Sequence, residues 1–223
     1  YVAEVGGSAG SSSGPITRSF NAGAVTVAQK GYGGVGGIAG VLKSAAISDC
    51  YNTGTITAAG DDIGGIAGYT SQEIKNCYNT GAVTGTGAKN GVGGIVGRLS
   101  SAVSSYSNGK ITGCLNTGAV TATSGTAAGA IVGQKTTANA AITRSYFKAG
   151  TCTQAIGGNP ADGDEAALAT EAECGSKRLI GLLGGAFAAG SDGKLTLNWQ
   201  DPAATPVVTF VTPEGAAVAI EGQ

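Results

Sequence analysis

One pentapeptide keeps returning at a near-constant interval: Cys50-Tyr51-Asn52-Thr53-Gly54, Cys77-Tyr78-Asn79-Thr80-Gly81 and Cys114-Leu115-Asn116-Thr117-Gly118, with looser copies at Ser19-Phe20-Asn21-Ala22-Gly23 and from Ser145 to Gly150. Ahead of each copy stands a second block, Gly36-Gly37-Ile38-Ala39-Gly40, Gly64-Gly65-Ile66-Ala67-Gly68 and Gly93-Gly94-Ile95-Val96-Gly97, with degenerate forms at Gly6 to Gly10 and Gly129 to Gly133. Successive second blocks start 30, 28, 29 and 36 residues apart. A period of that size marks a solenoid, an array or a propeller. Five units fill residues 5 to 152.

Helical solenoids are excluded by composition. Thirty of the first 152 residues are Gly, and each Gly inside a helix costs about 0.5–1 kcal/mol against Ala. The frames of leucine-rich, collagen and calcium-nonapeptide repeats are absent. What remains is β-structure, since the segments between glycines are short and rich in Val, Ile, Thr and Tyr, as in Gly54-Thr55-Ile56-Thr57 and Gly81-Ala82-Val83-Thr84. Three short strands and three bends per unit predict an all-β parallel β-helix of about five coils. Each strand would pair with its counterpart about 4.8 Å away, stacking to about 24 Å.

Equivalent positions then fall into columns. Ile16, Ile47, Ile74, Ile111 and Ile142 form one inward file, and Ile38, Ile66, Ile95 and Ile131 another. Asn21, Asn52, Asn79 and Asn116 form a ladder at a corner, each two residues before a Gly at which a tight bend would take positive φ. Cys50, Cys77 and Cys114 share one position with Ser19 and Ser145, so the position asks for a small inward side chain rather than a cross-link. Cys152 and Cys174 are left over, and could pair in an oxidising compartment.

Chemistry-bearing residues are sparse. The coils hold Glu4, Asp49, Asp61, Asp62 and Glu73 and the chain has no His. Glycoside chemistry needs two carboxylates at a fixed separation, and among these only Asp49 and Glu73 fall within one coil of each other away from the paired Asp61-Asp62 loop. Asp61 and Asp62 face Lys30 and Lys89 one coil away, as a solvated charge ladder. Gly31-Tyr32-Gly33-Gly34-Val35-Gly36 fits a dinucleotide fingerprint, but it lacks the flanking strand and helix and belongs to the repeat. No cofactor or metal is expected, because the cysteines come singly, without paired spacing. Net charge is −1 with 12% charged residues, which excludes a nucleic-acid or membrane-surface footprint, and no apolar run is long enough to insert in a membrane.

The fourth unit carries an insertion. Thirteen residues, Arg98 to Lys110, separate Gly97 from Ile111, against six and five in the two preceding units. Insertions on one edge of a solenoid are where binding surfaces are built, so Arg98, Tyr106 and Asn108 are the candidate ligand-binding residues. A glycan or a host or cell-surface protein is the partner class.

Beyond the repeats the composition shifts. Residues 1–153 form the repeat array. Residues 154–201 read as a capping segment, in which Thr170-Glu171-Ala172-Glu173 is a capping box for a short helix from about 171 to 183, closed by Gly184-Gly185. That helix would close the last coil, whose open edges need a cover. Leu195 to Trp199 alternates as a strand, with Trp199 an anchor. Residues 202–223, with Val207 to Val211 and Ala217 to Ile220 as strands, read as the beginning of a truncated β-module, so the chain is expected to belong to a longer multidomain protein.

Gly37-Ile38-Ala39-Gly40, Gly65-Ile66-Ala67-Gly68 and Gly94-Ile95-Val96-Gly97, each followed by Cys-Tyr-Asn-Thr-Gly or its Leu variant, resemble the GLUG motif repeat. That repeat recurs in bacterial cell-surface proteins and in non-catalytic parts of IgA-cleaving metallopeptidases. Leu183 to Phe187 and Gly193 to Gln200 resemble the close of such arrays, although Lys194-Leu195 replaces the usual Tyr-Pro. The resemblance implies a secreted, surface-displayed bacterial protein with an immunoglobulin-like or similar module after the repeats. The expected function is that of a non-catalytic structural or adhesive stalk. The alternative is a carbohydrate-binding or polysaccharide-degrading β-helix.

Overall fold

Strands of successive units lie side by side and parallel, each in register with its counterpart one repeat away, as in a parallel β-helix. The computed structural model describes residues 4–101, 109–123, 126–160, 163–192, 194–200, 205–206, 208–211 and 217–220, with 29–32 and the residues from 205 onward described by backbone alone. Coils start at Val5, Val35, Ile63, Val92 and Ala128, which share one register.

Each coil feeds four sheets rather than three. The first holds Val5–Gly6, Val25–Gly36, Ile56–Gly64, Val83–Gly85 and Val120–Ala122, with Gly91–Gly93 and Ala127–Gly129 alongside; the second runs from Ala9–Ser12 through Ala39–Leu42, Ala67–Thr70, Val96–Leu99 and Val132–Lys135 to Ile156–Gly158. The third stacks Ile16–Thr17, Ile47–Ser48, Glu73–Lys75, Lys110–Thr112 and Ala141–Thr143. The fourth stacks Phe20–Asn21, Tyr51–Asn52, Tyr78–Asn79, Leu115–Asn116 and Ser145–Lys148, with Ala166–Ala169 beyond. The third and fourth sheets arise because the Ile-x-x-Cys-Tyr-Asn stretch, readable as one strand, bends in its middle.

The bend has one recurring cause. The residue before each Cys or Ser adopts the left-handed conformation: Arg18 (φ 47°), Asp49 (55°), Asn76 (52°), Gly113 (61°) and Arg144 (45°). Four of these are not Gly, at a cost of about 1–2 kcal/mol each. Across that bend the Cys or Ser side chain donates back to the carbonyl two residues earlier, at 2.9 Å from Ser19, 3.1 Å from Cys50, 3.2 Å from Cys77, 3.6 Å from Cys114 and 3.0 Å from Ser145. The position therefore selects a small side chain with a donor. Burial pushes the Cys77 thiol well up, with the neighbouring Cys114 and Cys50 thiols adding to the shift.

Glycines of the Asn-Thr-Gly triplet have a different role from the positive φ expected of them. Their φ is not in the left-handed range; instead a Cβ at Gly54, Gly81 or Gly118 would stand 2.0 Å from the carbonyl oxygen of the equivalent Gly one coil back. They are glycines because chain passes directly over chain.

Both isoleucine files form as expected. Ile16, Ile47, Ile74, Ile111 and Ile142 pair in register, and Ile38, Ile66, Ile95 and Ile131 are linked by backbone bonds of 2.9–3.0 Å. All but Ile16 are fully buried, which contributes about 1.5–3 kcal/mol per side chain. The Asn ladder is continuous: Asn21, Asn52 and Asn79 each donate to the Oδ1 of the next, at 2.8, 2.7 and 2.8 Å. Each of the four also donates to the carbonyl of its own triplet Gly at 2.7–2.9 Å. In the fifth coil Phe147 takes the Asn position and the ladder stops.

The chain divides into two units, residues 1–168 and 169–223. In the second, the capping box forms, with Thr170 N and Oγ1 each donating to Glu173 Oε2 at 2.9 Å. It caps a turn and not the helix. The helix spans Lys177–Leu183 with Ser176 as N-cap, because Ser176 is extended (ψ 147°), and it ends at Gly184 (φ 116°). Leu195–Leu197 is a strand antiparallel to Phe187–Ala189, and Val208–Val211 pairs antiparallel with Ala217–Ile220. Trp199 lies in the turn after the strand.

Candidate functional site

The residue following the second glycine block points out of the second sheet. Register puts Val41, Tyr69, Arg98 and Gln134 in one file along that face. Arg98 reaches sideways, donating through Nε to Asp62 Oδ1 at 3.0 Å and through Nη2 to Asp62 Oδ2 at 2.9 Å. Its guanidinium carbon lies 4.5 Å from the centroid of the Tyr69 ring.

Asp62 comes from the Ile56–Gly64 strand, not from a loop as the sequence suggested, and stands between Gly34 and Gly91 of the adjoining coils. A Cβ at Gly34 would run into the Gly40 carbonyl and one at Gly91 into the Gly97 carbonyl, so both are glycines because backbone passes close to backbone there. Asp62 is 3% exposed, whereas the Arg98 side chain is 34% exposed. Burial raises the Asp62 carboxyl, opposed by the hydrogen bonds and charge of Arg98 and by the Asn90 side chain. The result is a bidentate pair with one carboxylate face inward and the cation stacked on a ring at the surface.

Of the three residues named from sequence, Arg98 belongs to this cluster, while Tyr106 and Asn108 lie outside the described residues. The base of their loop is pinned by Gly109 N donating to Ser100 O at 3.1 Å and by Thr137 Oγ1 donating to Ser101 Oγ at 2.8 Å. Asp62 and Tyr69 were not placed with Arg98 by sequence. The Tyr69–Arg98 contact had a signal, since both follow the last Gly of the same block; the Asp62 contact, between different sheets of neighbouring coils, had none.

Other carboxylates of the coils are engaged with neighbours one coil on. Glu4 faces Lys43, Asp61 faces Lys89 and Glu73 faces Lys110, each at 3.8 Å, and Asn76 Nδ2 donates to Asp49 Oδ1 at 3.0 Å. The Lys30 side chain, the other expected partner of Asp61 and Asp62, lies outside the described residues. Cys50, Cys77 and Cys114 are fully buried thiols, and Cys152 also carries a thiol. Among the described residues no group of three or more His, Cys, Asp or Glu could hold a metal ion, and no helix is long and apolar enough to cross a membrane.

In comparison with known families, residues 60–84 fit the model of the GLUG motif. That span includes Asp62, Tyr69, Ile74, Cys77, Asn79 and Gly81, so it takes in most of one coil. No curated protein and no solved structure matches the chain.

Proposed function

Taking a β-helical repeat module with a GLUG motif at 60–84 as the premise, we propose that the chain is a non-catalytic, extracellular stalk or ligand-presenting module of a bacterial surface protein. The observation that supports this reading most directly is where the recurring polar groups go. The Asn side chains bond to one another and to glycine carbonyls, and the Cys and Ser donors bond to their own bends. The described carboxylates of the coils likewise face cations or amides of the next coil. Repetition is spent on stacking, which makes a stiff spacer whose outer face is free to vary.

The test is a cell-surface display assay of the full chain. Deleting the second and third coils as whole repeats should shorten the module while preserving folding, and should reduce adhesion to a host-cell or glycan-coated surface. Unchanged adhesion at equal display would overturn the reading. So would saturable turnover of a polysaccharide that is lost on Asp62→Ala.

A second reading is favoured by the Arg98–Tyr69 pair, a charged plane on a ring, one-third exposed beside an inserted loop. It is a carbohydrate-binding surface. Glycan-array binding that disappears in Tyr69→Ala and in Tyr106→Ala would select it.

A further inference from the structure

The cations of the repeat array fall into two groups. Lys43, Lys89, Arg98, Lys110 and Lys135 each meet a carboxylate. Arg18, Lys75 and Arg144 are exposed and, among the described residues, no ion pair engages them. In a chain of net charge −1, cations without a counter-ion mark where positive charge is offered outward.

These three are not repeated from coil to coil, yet their placement is regular. Lys75 stands in the third sheet between Ser48 and Thr112 of the adjoining coils, one residue after the buried Ile74 and so on the outward side of the strand. Arg18 and Arg144 occupy the left-handed bend that follows the same strands in the first and fifth coils. Coil by coil, this edge carries Arg18, then Asp49, then Lys75, then the uncharged Thr112-Gly113, then Arg144. Adjoining strands lie about 4.8 Å apart, so the cations recur every second coil, at intervals of about 10 Å. The carboxylate among them, Asp49, accepts from Asn76 Nδ2 at 3.0 Å. At Arg144 it is the backbone N–H that donates to Glu165 Oε2, at 3.2 Å.

Resting on the reading of the chain as a ligand-presenting module, we propose that this edge binds a linear glycan with a carboxylate on every second sugar, laid along the stack. Each sugar of an extended glycan advances by roughly one coil spacing. A uronate at every second sugar therefore returns in step with Arg18, Lys75 and Arg144. The uncharged sugars between them lie over Asp49, an acceptor for sugar hydroxyls, and over Gly113, where no side chain intrudes. Arg18 and Arg144 offer planar guanidinium forks that match a carboxylate. Asp49 supplies the discrimination, since a polymer charged at every unit, such as a polyuronate or a single-stranded nucleic acid, sets an anion against it. Exposed single charges each contribute little, so affinity grows with the number engaged at once.

The experiment titrates the full chain with hyaluronan oligosaccharides, in which glucuronate alternates with an uncharged sugar, and with polygalacturonate and dextran of matched length. Hyaluronan is expected to bind at low ionic strength and to be released as salt rises from about 0.05 to about 0.5 M, while dextran does not bind. Arg18→Gln, Lys75→Gln and Arg144→Gln should each weaken hyaluronan binding by about two- to fivefold at unchanged melting temperature. Lys110→Gln, on the same sheet but with its charge already met by Glu73, should leave binding as it was. Asp49→Asn should raise the affinity for polygalacturonate relative to hyaluronan. No binding of hyaluronan at low salt, dextran or polygalacturonate bound as tightly as hyaluronan, or an equal loss in Lys110→Gln would each overturn the assignment. If hyaluronan is ignored while repeat deletion still reduces adhesion to a glycan-coated surface, the ligand is refuted and the stalk reading stands.

Discussion

Arg98 holds both carboxylate oxygens of Asp62, from a neighbouring coil and a different sheet, at 3.0 and 2.9 Å. The pair ties the second sheet to the first at the point where two glycines flank the acid. Burial raises the Asp62 carboxyl, and Arg98 opposes that shift. The folded protein thus keeps a proton on Asp62 at pH values where the unfolded chain has released it, and stability falls as pH rises through that window. Arg98→Ala removes the opposing group, moves the folded value further up and extends the fall to higher pH. At neutral pH the loss should be about 2–3 kcal/mol, tempered by the exposure of Arg98. Urea midpoints from about pH 4 to about pH 8 check this; a variant whose pH profile parallels the parent's would refute it.

Asn79 sits at the middle of its ladder, fully buried, donating to Gly81 O and Asn116 Oδ1 and accepting from Asn52. Asn79→Ala should cost about 2–4 kcal/mol, because it strands buried partners on both sides. Asn21→Ala, at the half-buried end, should cost about 1 kcal/mol or less. Equal losses in chemical denaturation would mean that the amide column does not act as a connected unit.

A methyl at Gly81 would lie 2.0 Å from the Gly54 carbonyl, although φ there is not left-handed. Gly81→Ala is accordingly expected to destabilise by about 1–3 kcal/mol through overpacking. Gly23→Ala should fall within about 0.5 kcal/mol of the parent. Thermal melts of the two variants separate crowding from conformational freedom, since a φ-based cause would penalise both alike.

Lys135 continues a buried file of Leu42, Thr70 and Leu99, and is 1% exposed against Asp164. Removing its partner by Asp164→Ala leaves a buried charge and should cost about 3–5 kcal/mol. Lys135→Leu combined with Asp164→Ala should recover most of that loss. A double variant as unstable as the single one would show that Asp164 acts through something other than the charge.

Features that repeat were legible in the sequence. Stacking turns one period into columns, so the isoleucine files and the Asn ladder could be named residue by residue before any coordinates. The bend position was not, because Arg18, Asp49, Asn76, Gly113 and Arg144 share a backbone conformation while being of four residue types. Three strands were counted per unit where four occur, since that bend splits one apolar run. Asp61 and Asp62 looked like loop residues among glycines, yet the glycines belong to a strand that passes close to its neighbours. The helix start moved from about 171 to 177 because a capping box can close a single turn as well as a helix. Of the candidate site, Arg98 was found from the length of its insertion, while Asp62 needed the geometry between sheets.

The amides of Asn21, Asn52, Asn79 and Asn116 point head to tail along one axis. Aligned bond dipoles polarise one another, each bond strengthening the next by about 10–30%. A line of side chains therefore carries a small electric polarity of its own, oxygen-negative at the Asn21 end and hydrogen-positive at Asn116, in a fold whose parallel strands are all oriented alike. Any cation or amide drawn to the column would be steered toward the Asn21 end.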